Sequence, residues 1–452
     1  MNGITFLGFL GTVFVYRKLN DAGYLGGIRK KYTVDKATYQ KALGNFQDSI
    51  RIKTISDKDE EKVNFKEFDK FIAFLEEKYP LVHEVMEVKK IHGYSLMYFW
   101  KGKNKDKKAV MLTAHYDVVD AVDDKNKEWI YEPFSGHNDG KYIWGRGTLD
   151  DKLEVISMLE AAEYLLSKGF TPERTIIFGF GHDEEVGGKK GAVNMAKYLE
   201  ENDIHLEFLL DEGGCVSLGA VESIYHPIAV FGIGERGYSL VELSYNGNSD
   251  KPARVLYDEV KHLLDIDSGL ELSDEVRSLI DYYSGEKRDV FSIHKGLDKI
   301  RQPALYHGFA RRKVEITDNL RSIQCDFRIY PGTSTDDFVN LIEKTKYNKE
   351  IEYKFIRLEE PSELSTKDSY GYKLLKRLIS HCYSDSIFNP TVVVGGTDSK
   401  KYKNLSDSIY RFIPIQIRQK ELNTMHRSNE KISIANFRRA LNFYVLLLDN
   451  IK

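Results

Sequence analysis

At 452 residues the chain exceeds what one ordinary core accommodates, and a 42% hydrophobic, 30% charged composition belongs to a folded globular protein rather than a disordered one. Lysine plus arginine (66) nearly cancels aspartate plus glutamate (69), so no overall field draws in nucleic acid or anionic lipid, and a small-molecule partner is expected. Three scattered cysteines, Cys215, Cys325 and Cys382, form no paired motif, which excludes a disulfide framework or thiolate zinc site and fits a reducing compartment.

The apolar run from Ile4 to Tyr16 is shorter than the roughly 20 residues of a spanning helix and lacks the positive start of a signal peptide. Within an N-terminal segment of residues 1–34, it reads as a packed or interfacial helix, with membrane anchoring as the alternative. Arg17 and Lys18 would leave an anchored protein facing the cytoplasm, and a cytoplasmic location is the expectation.

Over residues 35–80, Tyr39, Leu43, Phe46 and Ile50, then Phe65, Phe68, Phe71, Ile72 and Leu75, recur at helical spacing. His92–Trp100 alternates as a strand, and Ala109–Ala114 is a second strand that ends at His115-Tyr-Asp117. Tyr142-Ile-Trp-Gly-Arg-Gly-Thr-Leu-Asp-Asp-Lys152 then leads into a helix, with Asp150 and Asp151 at its start, where the dipole favours negative charge. Leu153, Ile156, Leu159, Ala162 and Leu166 mark one face of that helix.

The stretch Thr175 to Gly188 is the strongest signal. A β-branched and aromatic run stops at small residues and three acids, Asp183, Glu184 and Glu185, which reads as a buried strand carrying carboxylates to its C-terminal mouth, where open α/β sheets bind ligands. Three adjacent acids repel one another unless a cation holds them, and a divalent ion does this best. A helix near Gly191–Glu201 follows, then a strand at Phe208–Leu210 ending at Asp211-Glu-Gly-Gly214. From Gly237 the pattern becomes strand, helix, strand, helix over Ser239–Tyr245, Ala253–Leu264, Arg321–Tyr330 and Asp336–Thr345. Residues 237–356 therefore read as a smaller α+β lid inserted between two parts of a catalytic domain, 35–236 and 357–452. The second part carries a helix at Gly371–Cys382, strands at Thr391–Val394 and Ser408–Ile413, and His426.

Taken together, His115-Tyr-Asp117, Trp144-Gly-Arg-Gly-Thr-Leu-Asp-Asp-Lys152, His182-Asp-Glu-Glu185, Leu210-Asp-Glu-Gly213, Gly395-Gly-Thr-Asp398 and His426 resemble the dinuclear-zinc amidohydrolases and exopeptidases of the aminoacylase and carboxypeptidase S kind. The Gly-Arg-Gly-Thr-Leu-Asp-Asp-Lys form and Ser-Ile-Arg-Ile-Lys-Thr-Ile-Ser at 49–56 resemble the carboxypeptidase S branch most. The resemblance implies an α/β fold: a mixed-sheet zinc-exopeptidase-like catalytic domain with the inserted α+β lid. It also implies two Zn2+ ions, with Co2+ or Mn2+ as substitutes. His115 and His426 would each terminate one site, Asp150 would bridge them, Glu185 would join His426, and Asp211 or Glu212 would join His115. Alternation along a strand lets only one of that last pair point inward, with Asp211 the first choice. The resemblance further implies a cis peptide at Asp150-Asp151.

Zinc accepts imidazole and carboxylate and leaves room for water, and two ions lower the pKa of that water and polarise a carbonyl. By the resemblance, Glu184 would be the general acid–base and Asp117 would orient His115. Asn319, Arg328 and Thr397 would contact the substrate. The implied reaction is hydrolysis of the amide next to a free carboxylate in a short peptide, with N-acyl amino acids as the alternative substrate. A non-catalytic metal-binding descendant and a two-metal phosphoesterase are rivals; retention of Glu184 and Asp117 argues against the first, and the lack of a basic phosphate clamp against the second. Relatives often carry a histidine in the lid where this chain has Asn248 in Gly247-Asn-Ser-Asp250, a departure that bears on the oxyanion donor and on a homodimer through the lid; His307 is a candidate substitute.

Overall fold

The structure, a computed structural model, describes residues 34–121, 129–219, 225–265 and 317–452. The apolar run at 4–16 and His307 lie outside them. The chain opens with helices α1 (Lys36–Ile50), α2 (Phe65–Lys78) and α3 (Pro80–Val85). Asp35 starts α1 because its carboxylate accepts the Thr38 amide at 3.0 Å, filling a position that a helix start leaves open. Next come β1 (Glu87–Ile91), β2 (Ser95–Trp100), β3 (Ala109–His115), the short β4 (His137–Asn138) and β5 (Tyr142–Trp144), α4 (Lys152–Ser167), β6 (Ile176–Gly181), α5 (Ala192–Glu201), β7 (Leu206–Asp211), β8 (Val216–Leu218) and β9 (Ile228–Glu235). The remaining elements are β10 (Gly237–Tyr245), α6 (Pro252–Asp265), β11 (Ser322–Ile329), α7 (Thr335–Thr345), β12 (Ile351–Glu359), α8 (Tyr370–Cys382), β13 (Ile387–Val393), β14 (Ile409–Arg411), β15 (Gln416–Arg418), α9 (Gln419–Leu422), β16 (Lys431–Ser433) and α10 (Ile434–Asn450).

Ten strands form one sheet in the order β1-β2-β6-β3-β7-β14-β9-β8-β15, with β13 paired to β9. The β6-β3-β7-β14 centre is parallel and the β1-β2-β6 flank antiparallel, which makes the sheet mixed. Alternation along β6 sends Ile176, Phe178 and Phe180 into one core layer and Ile177 into the other, so the central strand is apolar on both faces. The first layer is covered by α1, α4 and α10, the second by α5. The single apolar stripe expected of α4 is too narrow, since Val155, Met158 and Ala161 are buried too. This helix packs against α1 and α10 as well as β3, so most of its circumference is dry.

The segment between β9 and α8 builds its own three-stranded antiparallel sheet, β11-β10-β12, with a separate core in which Val241, Leu243 and Tyr245 meet Leu256, Val260 and Phe338 of α6 and α7. A third, small sheet, β16-β5-β4, ties the chain end to the segment before α4.

Candidate metal centre

Three neighbouring strands of the large sheet, β6, β3 and β7, open at the same edge. β3 ends on His115, β6 runs into a tight turn at Glu184–Val186, and β7 ends on Asp211 with Glu212 next. Asp150 arrives on the loop between β5 and α4, through a cis peptide to Asp151. His426 comes from the turn between α9 and β16, in a left-handed backbone with φ 57°.

These far-separated residues meet. The two oxygens of Asp150 lie 2.8 Å from His115 Nε2 and 2.8 Å from His426 Nε2. Glu212 Oε1 is 3.4 Å from His115 Nε2, and Glu185 Oε1 is 3.2 Å from His426 Nε2. Asp211 does not face His115: its carboxylate turns to the Ser399 amide, 2.9 Å away. Asp211 still belongs to β7, paired with Arg411 of β14, so the next side chain along, Glu212, takes the opposite direction, toward His115. Asp183 also turns away, accepting the Lys190 and Gly191 amides at 2.8 and 2.9 Å ahead of α5.

Asp117 sits beneath His115 and receives four donors. His115 Nδ1 faces both the Asp117 carbonyl, at 3.1 Å, and Oδ1, at 3.3 Å, while the Glu184 and Glu185 amides donate at 3.2 Å each and the Ser56 hydroxyl donates to Oδ2 at 2.7 Å. A carboxylate serving four donors stays ionised; burial opposes this, but hydrogen bonding to His115 holds its pKa below the ordinary value. The network keeps a proton on Nδ1, so that a cation displacing the proton shared between Nε2 and Asp150 would find the Nε2 lone pair aimed at it. The same carboxylate thus positions His115 and the backbone of Glu184 and Glu185. Ser56 went unrecognised in the sequence as a site residue, although it closes the 49–56 run.

The electrostatics call for positive charge. Burial, reinforced by the Asp150 charge, pushes Glu212 up to about 8, and burial with neighbouring Glu154 and Glu212 drives Asp151 well above its ordinary value. Both Asp151 oxygens are buried without a hydrogen-bond partner. Despite burial, hydrogen bonds to Asp150 and Glu185 raise His426 to about 11. Two imidazoles thus face a surplus of buried acids that favour cations or protons. The donor set fits zinc: ligand bonds of about 2.0–2.1 Å at a tetrahedral angle separate donor atoms by about 3.3 Å. The 3.2 and 3.4 Å pairs match this span, and the 2.8 Å pairs need open only by about half an ångström.

The model of Peptidase family M20/M25/M40 matches residues 111–450. The chain belongs to this family. A protein named probable carboxypeptidase S-like 2, from Dictyostelium discoideum, is 35% identical over 415 residues, covering 85% of this chain and 79% of that one. The N-fatty-acyl-amino acid synthase/hydrolase PM20D1 of Xenopus tropicalis is 29% identical, covering 89% of this chain and 84% of the relative. Among solved structures, an M20 metallo-carboxypeptidase from Sulfolobus solfataricus superposes with TM-score 0.61 at 19% identity, covering 90% of this chain and 98% of that one. The mixed-sheet α/β fold with an inserted α+β lid expected from the sequence is therefore the observed one, and the protein is a metal-dependent hydrolase of the M20 family.

The expected substrate contacts are placed less uniformly. Arg328 lies on β11, its guanidinium 4.8 Å from the Tyr238 ring and donating to the Val394 carbonyl at 3.4 Å, at the root of the 395–398 loop. Asn319 is exposed in the turn before β11. Thr397 faces inward to the scaffold: its hydroxyl donates to Glu235 at 2.7 Å, because a fully buried carboxylate recruits every nearby donor. Asn248 is exposed on the lid loop after β10. Among the described residues no helix is long and apolar enough to cross a membrane.

Proposed function

We propose that the chain hydrolyses the amide bond beside a free carboxylate in short peptides, as a carboxypeptidase or dipeptidase, with two zinc ions in the site. The observation that carries this reading is Asp150, whose two oxygens each face the Nε2 of a different histidine at 2.8 Å. His115, Glu212 and Asp150 would hold one ion; His426, Glu185 and Asp150 the other. When bound, the ions supply Lewis acidity, polarising the scissile carbonyl and making a water acidic near neutral pH. Glu184 would accept a proton from water and return it to the leaving nitrogen, from a backbone whose amide is fixed by Asp117. Arg328 and the 395–398 loop support the substrate's carboxylate, since a planar guanidinium suits that group. A second copy would add to the lid through β12, which is an edge strand among the described residues and carries exposed Ile356 and Leu358.

An N-acyl amino acid presents the same amide and carboxylate, and the PM20D1 relatives keep that substrate class as the second reading. Dipeptides assayed against acetyl and fatty-acyl amino acids, with and without chelator, separate the two. Peptide turnover lost on chelation and restored by Zn2+ supports the first reading. Turnover of acyl amino acids alone moves the assignment to the second, and chelator-resistant turnover of either sinks both.

A further inference from the structure

We propose that the buried Arg146–Glu430 pair is a positioning device for the His426-side ion, and that the two metal positions therefore differ in how firmly they are held. The inference rests on the two-ion reading. The side chain of His115 is 2% exposed and locked from behind by Asp117, itself held by the 2.7 Å bond from Ser56. The side chain of His426 is 38% exposed and stands on a short turn whose backbone is left-handed at both His426 and Asn429. Residues other than glycine hold that conformation only where neighbours impose it.

Those neighbours come from the Asp150 loop. β5 and β16 pair antiparallel, Trp144 opposite Lys431, and the zipper continues past their ends as Gly145 N donates to the Glu430 carbonyl at 2.9 Å. The Glu430 carboxylate, fully buried, then accepts Arg146 Nη1 at 2.5 Å through one oxygen and the Leu149 amide at 2.9 Å through the other. Arg146 Nη1 also reaches the Arg427 carbonyl at 3.4 Å, next to His426. One side chain thus spans the loop that delivers the bridging Asp150, and its ion pair fastens the turn that delivers His426. On the His115 side, Ser56, Asp117 and β3 provide the support, and Arg146 touches that segment only at the Asp120 carbonyl, 3.3 Å from Nη2 and three residues past Asp117. Severing Arg146–Glu430 should loosen one ion and spare the other.

Zinc per chain and its release to a chromogenic chelator would be followed in the wild type, H426A, E430Q and an R146M/E430M double variant. The wild type should hold two ions released in two phases, with H426A abolishing the faster one. E430Q should weaken the faster-released ion about 10- to 100-fold, the usual effect of losing support behind a ligand, and leave the slower phase unchanged. The double variant, with no unpaired buried charge, should recover melting temperature yet still release that ion early. This separates positioning from mere stability, and it decides the matter if E430Q does not fold. Two ions held as in the wild type by either folded variant, or both ions lost together, overturn the proposal. A wild type with fewer than two ions would overturn the two-ion reading instead.

Discussion

Glu184 enters the site from a tight turn whose amides are fixed by Asp117, and burial, with the charges of Asp398, Glu212 and Glu185, pushes its carboxyl well above the usual range. Burial and like charges make a carboxylate a stronger base, which suits a group that accepts a proton. Glu184→Gln should lower kcat about 10²- to 10⁴-fold while metal content stays at the wild-type level, read by elemental analysis beside the rates. Parallel loss of ions would make Glu184 a ligand. His115, which ends β3, and Glu184, in the turn after β6, were legible because a patterned strand signals where its C-terminal mouth delivers side chains. The choice between Asp211 and Glu212 was not, since alternation demands that one face inward without saying which. Ser56 and Glu430 escaped because their partners lie 61 and 284 residues away, and nothing local marks such a pairing.

At the level of elements, β3 and β6 followed from their apolar and β-branched runs, and the helices within 35–80 and after Lys152 from apolar spacing. The β16-β5-β4 sheet did not, because strands of two and three residues are too short to show a period. β13 runs over Ile387–Val393, beyond the expected Thr391–Val394, and Pro390 inside it hid the strand; a proline is tolerated there because, among the described residues, β13 pairs on one side alone, with β9. Packing between elements is tight enough to test at Gly371 in the first turn of α8. A Cβ there would fall 2.6 Å from the Phe208 ring of β7. Alanine gains at most about 1 kcal/mol of helix propensity over glycine, whereas forcing a ring aside in a packed core costs about 1–3 kcal/mol. Gly371→Ala should therefore destabilise by about 1–2 kcal/mol in urea unfolding, and a stabilised variant would mean that Phe208 has room to move.

Across the whole molecule, the lid and the large sheet are joined where the chain leaves and returns. Glu235 ends β9 one residue before the gap to β10, and it exchanges backbone and hydroxyl hydrogen bonds with Ser362, on the returning segment, at 3.0 and 2.8 Å. Its buried carboxylate accepts Arg411 Nε at 2.7 Å and the Thr397 and Ser399 hydroxyls at 2.7 Å each, with Lys400 at 3.4 Å. One acid thus gathers the junction, β14 and the 395–398 loop. The strand–helix–strand alternation announced the inserted lid, but this junction was invisible in the sequence because the partners of Glu235 come from three separate segments. Burial works against the Glu235 charge, yet Arg411 and Lys400 hold its pKa below the free value of 4.5. A depressed carboxylate contributes stability that is fully present above the unfolded pKa and is lost as pH falls through the folded one. Glu235→Gln leaves Arg411 buried without its counter-charge, which costs about 3–5 kcal/mol at pH 7. In denaturant titrations from pH 7 downward, the gap between wild type and variant should hold until about pH 4.5 and narrow below it. A gap that stays constant to pH 3, or is absent at pH 7, would show that the junction does not depend on this charge.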